Sequence, residues 1–314
     1  MLQLRKPRAL TPGSRIAVVA PASPFKREDF DAGVEEIRRL GFVPVYDESV
    51  FAKGTPPYVA GSAESRAASI RAAFSDSTID GLIAVRGGYG SMQVLPLLDV
   101  DEARRACKPF IGYSDLTAVL SFLTVQCGVV AFHGPMLDDC LSRGEARYDR
   151  ESLLNAVGRS QPVGELAPAG LEALRGGEAS GMLLGGTVTQ LLATMGTPFA
   201  FDPPQGYVLF FEEVGERPYR LDRMVTQLRQ TGLLARAAAI VIGELNGCDE
   251  PGGPLTGRGV MADVLADFPG PVLFGFPSGH TRGKVYTLPL GVRCRVVANG
   301  QPRLVIEEAA VQDK

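Results

Sequence analysis

Short apolar runs alternate with amphipathic segments along the first 140 residues of the chain. Residues 16–20 form a continuous apolar run that predicts a buried strand, and residues 29–40 carry apolar side chains at helical spacing. The alternation continues with a predicted helix over 63–74 and predicted strands over 42–46, 81–85 and 109–111. This order indicates a mostly parallel sheet with helices on both faces, whose ligands bind beyond the carboxyl ends of the strands.

The pattern loosens in the middle of the chain, where Gly, Pro, Ala and Arg dominate residues 158–177. We predict a linker over 141–180 between an N-terminal domain, 1–140, and a C-terminal domain, 181–314. The second part carries predicted helices over 189–195 and 219–230, and strands over 207–211, 238–242, 272–274, 284–288 and 294–297. The expected fold class is α/β, with a flavodoxin-like or Rossmann-like parallel-sheet domain followed by a smaller mixed α/β or barrel-like domain.

Composition narrows the class of protein. The 314 residues are 45% hydrophobic and 21% charged, as in ordinary globular proteins, and the net charge of −3 argues against a nucleic-acid partner. No apolar stretch approaches the roughly 20 residues that span a bilayer, so we expect no membrane partner and a cytoplasmic location. The five cysteines are odd in number and form no CxxC pair, which predicts neither a disulfide framework nor a metal site.

One strand of the first part ends in a motif typical of a catalytic serine. After the predicted strand 109–111 the chain turns at Gly112 and places Ser114 at the start of a helix. In such an elbow the hydroxyl stands clear of the sheet, and the backbone N–H groups that follow point at the same spot. The motif lacks the second glycine of G-x-S-x-G, and a serine at a helix start is also an ordinary N-cap. The elbow alone leaves both interpretations open.

A catalytic serine needs a general base, and the chain contains two histidines, His133 and His280, both in turn-rich segments. Either could instead bond only to loop backbone. The acid that orients the base is expected at Glu212 or Glu213, which directly follow an apolar strand. Successive strand residues point to opposite faces, so only one of the two glutamates faces a given site, and the sequence does not separate them.

Residues 86–90, Arg-Gly-Gly-Tyr-Gly, follow another predicted strand. The run fits neither the G-x-G-x-x-G nor the Walker spacing, which argues against a phosphate loop. It is either a plain tight turn or a second oxyanion donor, because glycine backbone can approach a reacting carbonyl closely and the run shares a sheet edge with Ser114.

Several motifs follow one another in an order typical of one enzyme family. They lie at 16–23, 86–91, 112–115, 133–136, 185–186, 211–224, 279–280 and 288–291. Taken together, they resemble the LD-carboxypeptidase family of serine peptidases, which includes the microcin C self-immunity peptidases. The resemblance covers nearly the whole chain, and so many matches in order make it specific.

The resemblance implies a Ser-His-Glu triad divided between the two domains. By motif, the nucleophile is Ser114, the base is His280 and its orienting acid is Glu212. The implied oxyanion donors are the backbone N–H groups of Gly88 and Asp115.

Two further positions matter for this resemblance. Glu213 stands where the family commonly has an acid of less certain role. Thr187 departs from the Asn that relatives often carry after the two glycines. That departure bears on the floor of the pocket and not on the triad.

The activity implied by the resemblance is hydrolysis of the L,D-peptide bond to the terminal D-alanine of a murein tetrapeptide, through an acyl-enzyme, in peptidoglycan recycling. No metal or organic cofactor is implied. The expected partner is a small peptide, and a homodimer is expected because the relatives are dimeric. Arg86 beside the glycine run is a candidate for binding the terminal carboxylate, with a structural ion pair as the alternative.

Two other functions stay open. The immunity branch hydrolyses the amide that joins a terminal aspartate to a modified adenylate, and those relatives tend to stack the nucleobase on an aromatic side chain. This chain has no Trp, although Tyr or Phe could also stack. A non-catalytic binding protein would explain two α/β lobes, but not the Ser, Glu and His that fall in the family's motifs.

Overall fold

In the computed structural model, which describes residues 4–313, the N-terminal part alternates strands and helices as predicted. Its strands are β1 (Arg15–Val19), β2 (Val43–Val45), β3 (Gly81–Ala84), β4 (Phe110–Gly112) and β5 (Ala131–His133). Its α-helices are α1 (Arg27–Arg39), α2 (Ala63–Ser75), α3 (Ser91–Val94), α4 (Val100–Ala106) and α5 (Thr117–Ser121). Short 3₁₀ turns lie at Glu48–Phe51, Leu95–Leu97 and Ser114–Leu116, and a π-helical turn extends α5 over Phe122–Gln126.

The C-terminal part begins with a 3₁₀ turn at Leu141–Ala146. Its helices are α6 (Arg150–Gly158), α7 (Val188–Ala193), α8 (Pro218–Gln230), α9 (Leu233–Arg236) and α10 (Gly257–Val264). Its strands are β6 (Gly164–Leu166), β7 (Glu172–Arg175), β8 (Glu178–Thr187), β9 (Tyr207–Glu212), β10 (Ala237–Gly243), β11 (Val272–Phe276), β12 (Leu288–Leu290), β13 (Arg293–Val297) and β14 (Arg303–Ile306).

Helix α1 shows why the helices form where the periodicity predicts them. Phe30, Val34 and Ile37 are buried on one face. Acidic residues occupy its first turn, and Arg38 and Arg39 its last, as the helix dipole favours. Sequence periodicity and end charges therefore agree on the same element.

The first sheet has the strand order β12-β5-β4-β3-β1-β2. The pairs from β5 to β2 are parallel, and β12 is antiparallel to β5. Because β3 and β4 are parallel neighbours, the glycine run after β3 and Ser114 after β4 emerge at the same carboxyl edge. The predicted parallel sheet of the N-terminal part is confirmed.

The second sheet has the order β6-β14-β13-β8-β9-β10-β11-β7. Its central strands β8, β9, β10 and β11 are parallel, and the outer strands pair antiparallel. Across residues 4–313 the strand order ends at β6 and β7, so this sheet is open. Of the two predicted alternatives, mixed α/β is therefore the one observed.

Strand β9 separates two apolar clusters. Val208 and Phe210 join the cluster shared with the first sheet, whereas Leu209 and Phe211 join the cluster that includes residues of α7 and α8. Side chains alternate along a strand, so Glu212 falls on the same face as Phe210. That face is turned toward the first sheet.

The segment 141–180, predicted as a linker, contains regular structure. Helix α6 lies in it, and β6 and β7 form the two ends of the second sheet. These strands are short, and most of their residues are at least partly exposed. Edge strands of this kind need no continuous apolar run, which is why the sequence pattern resembled a linker. The exact domain limits stay a prediction.

One strand of the C-terminal part lies in the first sheet. Strand β12 pairs antiparallel with β5, and Leu288 lies opposite His133. Residues 277–287, between β11 and β12, therefore cross from the second sheet to the first. We call this segment the crossover.

Candidate active site

Ser114 lies at the turn between β4 and α5 in strained backbone. Its φ of 63° is in the left-handed region, which residues other than glycine rarely adopt. The turn is tight, because a Cβ at Gly112 would lie 3.2 Å from the Cβ of Leu116. Ser114 is partly exposed between buried neighbours, as expected for an elbow that presents a hydroxyl.

The glycine run after β3 lies directly against the serine. A Cβ at Gly87 would be 2.7 Å from the Cβ of Ser114 and 3.3 Å from the Asp115 nitrogen. Ser23 holds the run on its other side. Its N–H donates to the Gly87 carbonyl at 3.1 Å, and its hydroxyl accepts from the N–H of Tyr89 at 3.0 Å. Glycine is required at position 87 because a side chain there would collide with the elbow.

The side chain of Asp115 joins the elbow to this run. Its carboxylate accepts from the N–H of Ser91 at 2.7 Å, and the Ser91 hydroxyl donates to the Asp115 carbonyl. Buried Arg66 donates to the carbonyls of Pro21 and Gly90 at 2.6 and 2.7 Å. Burial raises the pKa of Asp115, and the Ser91 hydrogen bonds and the Arg66 charge act against that rise. The backbone of Asp115 is therefore fixed through its own buried side chain.

Glu212 lies at the end of β9, and His280 lies in the crossover. The Glu212 Oε2 atom accepts from Nδ1 of His280 at 2.8 Å and from the His280 backbone N–H at 3.0 Å. This carboxylate assigns the proton of the neutral imidazole to Nδ1 and leaves Nε2 as its acceptor. The arrangement matches the base and orienting acid of a hydrolytic triad.

His280 and Glu212 each shift the pKa of the other. Burial acts to lower the pKa of His280, but the hydrogen bond and charge of Glu212 outweigh it, so that pKa lies above its ordinary value. Burial acts to raise the pKa of Glu212, but the hydrogen bond and charge of His280 outweigh it, so that pKa lies below its ordinary value. Glu212 is therefore a buried carboxylate whose charge favours an imidazolium at His280.

The end of β8 brings the second sheet to α5. A Cβ at Gly186 would lie 2.5 Å from Oγ1 of Thr117, and the N–H of Thr187 donates to that hydroxyl at 3.0 Å. The Thr187 hydroxyl in turn donates to Oε1 of Glu212. The expectation that the departure at Thr187 does not bear on the triad is therefore wrong, because its side chain is a hydroxyl donor to the candidate acid.

Ser114 and His280 line one cavity of about 420 Å³. Gly87 and Gly88 line the cavity as well. The rings of Tyr113 and His280 pack edge to face, with 5.1 Å between their centres. Glu212 is bonded to the far side of the imidazole. The fold thus gathers the three residues predicted as a triad beside the glycine run predicted to bind an oxyanion.

Glu213 has a different environment from Glu212. Its carboxylate accepts from the N–H and hydroxyl of Thr189 at 3.0 and 2.6 Å, and from the N–H of Val214 at 3.0 Å. Burial raises its pKa. The geometry ties Glu213 to the first turn of α7, a position where a carboxylate is favourable.

His133, the other predicted histidine, is fully buried at the end of β5. Its Nδ1 lies 2.9 Å from Oγ of Ser278, and burial lowers its pKa to about 4. Of the two candidates for the base, the geometry favours His280, which reaches the cavity.

Arg86 lines the cavity with a half-exposed side chain. It also lies 3.5 Å from a carboxylate oxygen of Asp138 and donates to the Pro24 carbonyl at 3.2 Å. The structure therefore supports both predicted interpretations, a cation open to a ligand and a structural ion pair.

Four charged residues of the cavity were not singled out from the sequence. Lys26 and Asp29 follow β1, and Asp138 and Asp139 follow β5. The rule that ligands bind beyond the carboxyl ends of parallel strands could have found all four. They make the cavity rich in both signs of charge.

Both parts of the chain match the two domains of one protein family. Residues 16–134 match the LD-carboxypeptidase N-terminal domain, and residues 180–296 match the LD-carboxypeptidase C-terminal domain. The chain belongs to the LD-carboxypeptidase family. This membership confirms the predicted family and the predicted class of enzyme, a serine-type LD-carboxypeptidase. It also argues against a non-catalytic binding protein.

Individual known proteins match nearly the whole chain. A putative carboxypeptidase of Streptomyces coelicolor is 36% identical over 304 residues, covering 95% of both chains. A probable murein peptide carboxypeptidase of Bacillus subtilis is 30% identical, covering 98% of this chain and 96% of its own. The solved structure of the microcin C7 self-immunity protein MccF with aspartyl sulfamoyl adenosine has a TM-score of 0.89 at 24% identity, covering 98% of this chain and 100% of its own. The predicted α/β fold is thereby confirmed.

Between residues 4 and 313, none of the helices combines the length and apolar character needed to cross a membrane. In the same part of the chain, no three His, Cys, Asp or Glu side chains are grouped so that they could hold a metal ion. The five cysteines are free thiols, at Cys107, Cys127, Cys140, Cys248 and Cys294.

Proposed function

We propose that this protein is a serine LD-carboxypeptidase that removes the terminal D-alanine of murein tetrapeptides. The observation that carries the proposal is the 2.8 Å bond from His280 Nδ1 to Glu212, with His280 and Ser114 lining one cavity. A relative 30% identical over nearly the whole chain is named a probable murein peptide carboxypeptidase, which supports the substrate class.

In the proposed acylation step, Oγ of Ser114 attacks the carbonyl carbon of the L,D-peptide bond while Nε2 of His280 takes the hydroxyl proton. Negative charge develops on the carbonyl oxygen, and the N–H groups of Gly88 and Asp115 bind it. The tetrahedral intermediate collapses when His280 gives its proton to the departing amine. D-Alanine leaves, and the remaining peptide is held as an ester on Ser114.

Deacylation repeats the chemistry with water. His280 takes a proton from a water molecule, whose oxygen attacks the ester carbonyl, and then returns the proton to Oγ of Ser114 as the bond breaks. Glu212 stays ionised throughout and stabilises the imidazolium at each step. The products are a tripeptide and free D-alanine, and the enzyme is regenerated.

Arg86 is the proposed binding residue for the terminal carboxylate. Its guanidinium lines the cavity, and a bound carboxylate would compete with Asp138 for it. We expect Arg86→Ala to raise KM for free-acid tetrapeptides, measured by D-alanine release, and to leave C-terminally amidated peptides unaffected. An equal loss on both substrates assigns Arg86 a structural role.

The cellular setting is part of the same proposal. A murein tetrapeptide substrate supports a role in peptidoglycan recycling in the cytoplasm, and the family resemblance supports a homodimer. Sedimentation of the purified protein should then give a mass about twice the 33.4 kDa of one chain. A mass of one chain would contradict the dimer without touching the activity.

A second candidate is hydrolysis of a peptide-nucleotide conjugate. It is favoured by the structural likeness to MccF, whose solved complex contains aspartyl sulfamoyl adenosine. At 24% identity that likeness concerns the fold, and this chain has no Trp to stack on a nucleobase. Murein tetrapeptide is therefore the preferred substrate.

Mass spectrometry of the protein and its Ser114→Ala variant tests both candidates. Each is incubated with murein tetrapeptide and, separately, with processed microcin C. Loss of one D-alanine from the tetrapeptide, absent in the variant, is the expected result. Cleavage of the nucleotide conjugate alone would assign the second function, and no cleavage of either would reject both.

A further inference from the structure

The crossover that carries His280 connects the two sheets. It leaves β11 in the second sheet and enters β12 in the first. The N–H of Tyr286 closes it on the Pro277 carbonyl at 2.7 Å. The position of His280 relative to Ser114 therefore depends on how the crossover is attached to the first sheet.

Ser278, two residues before His280, makes that attachment to His133. The Ser278 hydroxyl donates to the Tyr286 carbonyl at 2.8 Å, which uses its single proton. Its oxygen then accepts from Nδ1 of His133, 2.9 Å away. His133 is therefore protonated on Nδ1, and its buried Nε2 has no hydrogen-bond partner among the described residues.

The surroundings keep His133 neutral and fixed. Its ring centre lies 5.0 Å from that of Phe210 and 5.9 Å from that of Tyr113. Burial lowers its pKa to about 4, even though the charge of Glu212 acts in the opposite direction. Ser278 is itself almost completely buried. A buried hydrogen bond between two such groups is costly to break, because each would lose a partner that water cannot replace.

We propose that His133 is a positioning residue whose Nδ1–H group holds Ser278, and through it His280, in place beside Ser114. The proposal rests on the proposed function, in which His280 is the base for Ser114. The pairing of Leu288 with His133 fixes the far end of the crossover on the same residue. His133 thus anchors the crossover both by its backbone and by its side chain.

Three substitutions separate this role from simple packing. His133→Asn keeps an N–H donor near the position of Nδ1, whereas His133→Gln places its amide one bond further, near Nε2. Ser278→Ala removes the acceptor by deleting one oxygen, and it provides a test even where a change of His133 impairs folding. Tyr207→Phe is a matched control, because it removes a buried hydrogen bond to the Leu233 carbonyl at the opposite end of β9.

Two activities and the melting temperature are measured for each variant. The first activity is release of D-alanine from murein tetrapeptide, analysed as kcat and KM. The second is the rate at which a fluorophosphonate labels Ser114, which needs the base but no bound peptide. We expect His133→Gln and Ser278→Ala to lower kcat and the labelling rate by about ten- to a hundredfold with little change in KM, since small misplacements of a catalytic group have effects of that size.

The conservative variant and the control complete the test. His133→Asn should keep kcat near that of the unmodified protein, and Tyr207→Phe should lower the melting temperature without lowering kcat. The proposal is overturned when His133→Asn loses as much kcat as His133→Gln, or when Ser278→Ala loses no more than Tyr207→Phe. Failure of the proposed function is distinguishable: the unmodified protein would be labelled yet release no D-alanine, and the labelling rates would still decide the role of His133.

Discussion

The two halves of the candidate site are built by different means. The nucleophile and the proposed oxyanion donors lie in the turns that follow two neighbouring parallel strands, β3 and β4, and Gly87 and Ser91 connect these turns. The candidate acid and base come from distant parts of the chain. Glu212 ends β9 of the second sheet, and His280 lies in the crossover that returns to the first.

The comparison shows which contacts each half depends on. In the half of the site that contains Ser114, the backbone of the N-terminal part alone brings the Ser114 hydroxyl and the proposed oxyanion donors together. The His280 half needs bonds between the two parts of the chain, from Thr187 to Thr117 and from Ser278 to His133. Changes in the first half should therefore impair attack and oxyanion binding, and changes in the second should impair proton transfer.

Removing the nucleophile is expected to have the largest effect. Ser114→Ala should lower kcat for D-alanine release by about 10⁵- to 10⁶-fold, the scale seen when a hydrolase loses its attacking group. Circular dichroism should show an unchanged fold. Activity close to that of the unmodified protein would remove Ser114 from the mechanism.

The strain at position 114 gives this prediction a structural control. Its φ of 63° is unfavourable for alanine and costs glycine little. Ser114→Gly should therefore be as inactive as Ser114→Ala but more stable, by about 1 kcal/mol in the free energy of unfolding. Equal stability of the two variants in urea titrations would argue against the strained turn.

The two adjacent glutamates test the other half of the site. Glu212→Gln should lower kcat by about 10³- to 10⁴-fold, because the amide no longer favours an imidazolium at His280. Glu213→Gln should instead weaken the first turn of α7 and reduce stability by about 1 kcal/mol, with a much smaller loss of kcat. Steady-state kinetics and thermal melting of both variants make the comparison. A greater loss of kcat in the Glu213 variant would reverse the assignment.

The sequence predicted the first half of the site more fully than the second. Parallel neighbours can be inferred from alternating strands and helices, so placing residues 86–90 beside Ser114 required only the order of elements. The choice between Glu212 and Glu213 required knowledge of which face of β9 meets the first sheet. That is a property of tertiary packing, and the alternation of side chains along one strand does not contain it.

The crossover was beyond sequence reasoning for a similar reason. Residues 284–288 were predicted as a β segment of the second domain, but β12 begins at Leu288 and pairs with β5 of the first sheet. A three-residue strand carries no signal for its partner, since register and pairing are set by long-range contacts. The role of His133 depends on that pairing, and so it could be found only from the structure.

A smaller effect is expected when a hydrogen bond beside the proposed oxyanion donors, in the first half of the site, is removed. Ser91→Ala leaves its N–H bond to the Asp115 carboxylate but removes the hydroxyl that donates to the Asp115 carbonyl. We expect kcat to fall about tenfold with KM nearly unchanged, because the backbone N–H of Asp115 would shift relative to the developing oxyanion. Ser91→Thr keeps the hydroxyl and should restore most of kcat. No rescue by Thr would reduce Ser91 to a packing residue.

The smallest effect is a displacement of the pH profile, and it reports on the second half alone. The proposed base must be neutral to accept a proton, so kcat/KM should rise with pH and reach half its maximum above the ordinary His pKa of about 6.5. Burial acts to lower the pKa of His280, and Glu212, Glu213 and Asp139 together raise it.

The contribution of His280 to folding stability depends on pH in the opposite direction to the activity. Because the folded pKa of His280 is raised, its ion pair with Glu212 stabilises the fold fully at pH values below the unfolded pKa, and this stabilisation is lost as pH rises through the folded pKa. Glu212→Gln should move the midpoint of the residual activity to lower pH, whereas Ser91→Ala should leave it in place. A midpoint that moved equally in both variants would show that the two halves of the site do not act separately.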